Sequence, residues 1–264
     1  MLILNLDKIK KILLLMGAFS FAFFIGTVVH EFGHVIAIKA FGIEQFKVII
    51  HPFVGNYVTW DVDNNFIGYV DAAGPLFNVF MGNSFLIGFW RWRQRIIPSI
   101  LLWGPVALIQ EGFNSLIQVA LNIPGSDSVR IIFVGVPAFC LVTIDSLFLI
   151  AGVVLLTIQL PLYGVSAEDS CLSRITTLVP GFVGFMMAIF LYDMLFNPLG
   201  VTRGIVLIIF SSAIAILVSF MDEPISKHVG IKLRCEVAPI NGTVIFYVLG
   251  LATTIIILGL FLFN

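Results

Sequence analysis

At 264 residues, 59% hydrophobic and only 11% charged, the chain departs from soluble globular domains, which average about 45–50% and about 25%. A formal net charge of −1 with no broad basic patch excludes nucleic acid as a partner. Cys140, Cys171 and Cys235 are odd in number and far apart, a pattern that excludes both a disulfide framework and a structural zinc cluster.

The expected architecture is an all-α polytopic membrane protein of about seven spanning helices, each needing about 20 apolar residues, with a short β-hairpin-like loop after the first. The first span, 12–40, is too long for a cleaved signal peptide. Within 42–65, Phe46-Lys47-Val48-Ile49-Ile50 and Tyr57-Val58-Thr59-Trp60 are β-branched and aromatic, with Pro52 and Gly55 between them, so the loop reads as a hairpin. Such a hairpin offers an edge strand to an extended peptide, or simply covers helix ends. The second span is expected at 68–90, stopped by Arg91, Arg93 and Arg95. The third, 96–121, is interrupted by Pro98 and Gly104-Pro105. A fourth at 129–160 is over-long for one crossing and calls for a tilt or a break near Pro137. The last three are expected at 175–196, 204–220 and 244–261. Lysines and arginines around these spans place the N-terminus on the cytoplasmic side.

The first span carries His30-Glu31-Phe32-Gly33-His34. On a helix, residues four apart share one face, so both imidazoles can reach one ion while Glu31 holds a water beside it. Ionisable groups at that depth are costly and point to function; the plainer reading is a polar cluster that pairs helices. Ala73-Gly74-Pro75-Leu76-Phe77-Asn78 opens the second span and Asn122-Ile123-Pro124-Gly125-Ser126-Asp127 ends the third. An antiparallel return brings both to the depth of His34, where Asp127 becomes the candidate third ligand. His51 is the alternative. A His, His, Asp set leaves one tetrahedral position for water. Asn78 and Asn122 are candidates for holding substrate backbone or the ligands, and Glu111 for a pairing, water-path or supporting role. Asn83 and Gln110 read as interhelical hydrogen-bonding residues.

His30-Glu31-Phe32-Gly33-His34 followed by Gly74-Pro75-Leu76-Phe77-Asn78 resembles the first two signatures of the site-2 protease family, the intramembrane zinc metalloproteases, over about residues 20–135. The resemblance implies zinc held by His30, His34 and a later aspartate, Glu31 as the catalytic acid-base, and a core of three transmembrane helices. The family's aspartate stands in a Leu-Asp-Gly context; Asp127 lacks both neighbours. The implied activity is hydrolysis of a peptide bond in or near the transmembrane segment of a membrane protein. On this reading 1–135 is the catalytic membrane core, and 136–264 adds helices of unassigned role that can dock a partner membrane subunit. Glu111, Asp145 and Asp193 inside spans keep open a second class: a non-proteolytic scaffold, complex subunit or transporter with a structural metal site. Either way the chain is expected to be multi-pass and to reside in the cell membrane.

Overall fold

The computed structural model describes residues 6–49, 57–60, 67–92, 101–165, 169–196 and 201–229. The chain runs α1 (Leu6–Ala40), a hairpin of β1 (Phe46–Ile49) and β2 (Tyr57–Trp60), α2 (Ile67–Trp92), α3 (Trp103–Ala120), α4 (Asp127–Phe133), α5 (Ala138–Gln159), a 3-10 turn (Leu160–Tyr163), α6 (Cys171–Phe196) and α7 (Val201–Val229). Three of these are long and apolar enough to cross a membrane: Leu6–Ala40, Ala138–Tyr163 and Ile205–Ile225. The protein is an integral, multi-pass membrane protein. The expected seventh span, 244–261, lies outside the described residues, as do His51, Pro98 and Cys235.

Several boundaries follow from local chemistry. Pro105 falls in the first turn of α3, where its missing N–H leaves no helical bond unmade, so the helix starts beside it. The over-long fourth span is broken as its proline requires: α4 ends at Phe133, Gly135 takes φ 102°, and Pro137, extended at ψ 131°, starts α5. Asp127 thereby acquires a short helix of its own. α7 reaches Val229, nine residues beyond the expected Phe220 end. The hairpin is antiparallel, with Phe46 opposite Trp60 and Val48 opposite Val58.

The main core joins Leu14, Leu15, Ala18, Phe19 and Ala22 of α1 to residues of α3, α5, α6 and α7. Phe19 stacks on Phe182 with ring centroids 5.0 Å apart. In lipid there is no hydrophobic drive between helices, so close approach must come from small residues. Gly112 of α3 sits against the Asp145 carbonyl and Leu149 of α5, while Gly152 of α5 sits against Ile109 and Pro105 of α3. Phe139, Ile144, Leu147 and Ile150 of α5 are exposed, an apolar face suited to acyl chains. Hydroxyls within the helices bond their own backbone: Ser20 to the Met16 carbonyl, Thr143 to Phe139 and Thr157 to Val153. A smaller cluster, Ile38, Val58 and Val70, seats the hairpin on α1 and α2 beside the polar site.

Candidate metal centre

Helix periodicity sets His30 and His34 on one face of α1, and a glycine pair lets α2 come close to that face. A Cβ on Gly33 would stand 2.5 Å from the Ala73 carbonyl oxygen, and one on Gly74 would fall on His34 Nε2. With α2 this near, the Val70 carbonyl accepts a hydrogen bond from His34 Nδ1 at 2.7 Å. A carbonyl oxygen cannot donate, so the proton is on Nδ1 and the Nε2 lone pair of a neutral ring faces the opposite way. On the other histidine, His30 Nδ1 lies 3.0 Å from Glu111 Oε1 of α3. The carboxylate plays the same part as the carbonyl, so in the neutral ring His30 Nε2 is the nitrogen that carries the lone pair.

Both lone pairs meet a carboxylate. His30 Nε2 is 3.1 Å from His34 Nε2 and 3.1 Å from Asp127 Oδ2, and His34 Nε2 is 3.4 Å from the same oxygen. With both rings neutral, three acceptors at this distance repel unless a cation lies among them. The spacing suits a metal ion, since donors about 2.0–2.1 Å from a tetrahedral zinc stand about 3.3 Å apart. His30, His34 and Asp127 thus form a cluster able to hold a metal. Asp127 supplies the oxygen donor of the set.

Glu31 is buried at 5% exposure, with His30, His34, Asp127 and Glu111 around it. Asn78 is fully buried. It donates its amide to Glu111 Oε1 and accepts from Trp103 Nε1 at 2.9 Å, so both ends of the side chain are engaged in holding Glu111. Asn122 is exposed at the end of α3 with φ 47°, where it caps the helix backbone; the Ile123 N–H returns to the Gln118 carbonyl at 3.0 Å. Gln110 does bridge helices, donating to Thr27 Oγ1 at 3.1 Å, whereas Asn83 bonds its own helix at the Val79 carbonyl. Asp145 is buried and accepts from Ser115, away from the metal cluster. The Asp193 side chain lies outside the described set.

Two charged residues near the cluster escaped the sequence reading. Asp71 of α2 is fully buried, with Oδ1 2.9 Å from Arg130 Nη2, and Arg130 in turn reaches Asp127 Oδ1 at 3.2 Å. The available signal was an acid at the head of an apolar span, which by cost alone marks a functional position. No protein family, characterised relative or solved structure matches the chain.

Proposed function

We propose that the chain is a zinc-dependent intramembrane endopeptidase of the site-2 protease kind, cutting a peptide bond in or near the transmembrane segment of another membrane protein. The observation that supports this reading is the convergence of two imidazole lone pairs and one carboxylate oxygen at 3.1–3.4 Å beside a buried glutamate. His30, His34 and Asp127 would hold the metal. When bound, zinc supplies Lewis acidity that brings the pKa of water to about 7 and polarises a carbonyl. Glu31, the next residue after His30, takes the proton from the attacking water and returns it to the leaving amine. Glu111 and Val70 keep the imidazoles in the ligating tautomer, and Asn78 steadies Glu111. The named residues fall between 30 and 130, which supports 1–135 as the catalytic core and leaves 136–264 for substrate gating or a partner membrane subunit.

A second reading has its own support. His30, His34 and Asp127 are each braced on the side away from the cluster, by Glu111, Val70 and Arg130, as suits a permanently held structural ion in a scaffold, complex subunit or transporter. Both readings share a metal-competent site in a multi-pass membrane protein and part at Glu31. The deciding experiment reconstitutes the wild type and Glu31→Gln with a panel of single-span substrates and measures cleavage and zinc content together. Cleavage by the wild type and none by the variant at equal zinc supports the protease. Equal cleavage by both removes Glu31 from the chemistry, and a variant that keeps full biological activity supports the structural ion.

A further inference from the structure

The two histidines are aimed by partners on their far nitrogens, and Asp127 needs an equivalent. Its helix, α4, has only seven residues and is bounded by turns on both sides. One turn along it, Arg130 Nη2 donates to Asp127 Oδ1 at 3.2 Å while Oδ2 faces His30 and His34. The two oxygens of one carboxylate are therefore divided between the arginine and the metal cluster.

Arg130 is itself held from two other elements. The same Nη2 lies 2.9 Å from Asp71 Oδ1 on α2. That contact is close but off the hydrogen-bond axis, because Asp71 Oδ1 makes no aligned hydrogen bond, so it is an ion pair and the directed N–H is spent on Asp127. Asp71 is fully buried and cannot turn to water in place of the arginine. The guanidinium also lies 4.8 Å above the Trp60 ring at the end of β2, and that ring is 6.3 Å from the ring of His34. Hairpin, α2 and α4 thus meet at one guanidinium.

We infer that Arg130 is a positioning residue that turns Asp127 Oδ2 toward the metal, seated by the buried Asp71 carboxyl group and by Trp60 of the hairpin. The inference rests on His30, His34 and Asp127 being the ligand set. It gives the hairpin a part in metal binding, since Trp60 supplies the face on which the guanidinium lies. It also explains a buried acid in α2 that contributes no ligand: without Asp71 the arginine charge would be free to draw Asp127 off the histidines.

A purely structural ion pair makes a different prediction, because removing both charges together from a buried pair leaves neither unpaired. The test uses the full chain in detergent, with Arg130→Gln, Arg130→Lys and the double variant Asp71→Asn/Arg130→Gln. Zinc affinity is measured by competition titration, ligand geometry by the visible absorption of the cobalt-substituted protein, and folding by thermal unfolding. The expected result is zinc binding about 10- to 100-fold weaker in Arg130→Gln, the usual effect of losing a partner that orients a metal ligand. The double variant should unfold at the wild-type temperature yet stay equally weak with an altered cobalt spectrum. Arg130→Lys should recover part of the affinity, because an ammonium restores the charge between the carboxylates. A folded double variant with wild-type affinity and spectrum, or one that binds zinc more tightly, overturns the inference and leaves the ligand set standing. A wild type that binds no zinc overturns the ligand set and the inference with it.

Discussion

His30 and Glu111, separated by 81 positions in sequence, meet at 3.0 Å between Nδ1 and Oε1. In the neutral ring the contact fixes which nitrogen of His30 is free, and it gives a carboxylate buried inside the helical bundle a partner. Glu111→Gln should keep the acceptor oxygen but lose the charge that makes the imidazole a better donor. Zinc affinity in that variant is expected to fall by about tenfold. Glu111→Ala should fall further, because it also strands the Asn78 amide in a dry interior. Competition titration of the two variants gives the order; equal, wild-type affinities would remove Glu111 from the site.

Asp127 and Asp145 are both carboxylates in the polar interior, but only the first faces the histidines. Asp127→Asn should weaken zinc binding severely and abolish any hydrolysis, while Asp145→Asn should leave zinc content unchanged. Elemental analysis of the two purified variants makes the comparison. Zinc loss on changing Asp145 would mean that the ligand oxygen has been misassigned.

Gly74→Ala should damage the site without touching a ligand. In a helix alanine is ordinarily favoured over glycine by about 1 kcal/mol. Here the added methyl would occupy the place of His34 Nε2, so the histidine or α2 must move. The variant is expected to lose zinc while gaining no thermal stability. Gly112→Ala makes a contrasting case, since its methyl would stand 2.5 Å from the Asp145 carbonyl oxygen, away from the cluster. It should cost about 1–3 kcal/mol through overpacking and spare the zinc affinity of the folded fraction. Thermal unfolding with and without zinc separates the two.

The parts of this fold that depend on local rules were legible in the sequence. Four-residue spacing put His30 and His34 on one face, the β-branched runs marked both strands of the hairpin, and Pro137 marked the break that releases α4. Asp127 could be named because an antiparallel return brings it to the depth of the histidines. Interactions that depend on which helix faces which were not legible. Glu111 announced itself as a costly buried acid, but its partner is a ring nitrogen on another helix. Asp71 and Arg130 pair across 59 positions, and nothing local to either names the other. Asn122 drew notice as a polar residue near the site, while its φ of 47° shows a helix cap, a role for which asparagine is also suited.

If His30 and His34 are metal ligands, together they hold one ion in this membrane bundle. Zinc content of the purified wild type, set against the double variant His30→Ala/His34→Ala with folding checked by thermal unfolding, tests it most directly. One zinc per wild-type chain and none in a folded double variant are expected. Equal zinc in both, or none in the wild type after exposure to zinc, would contradict it.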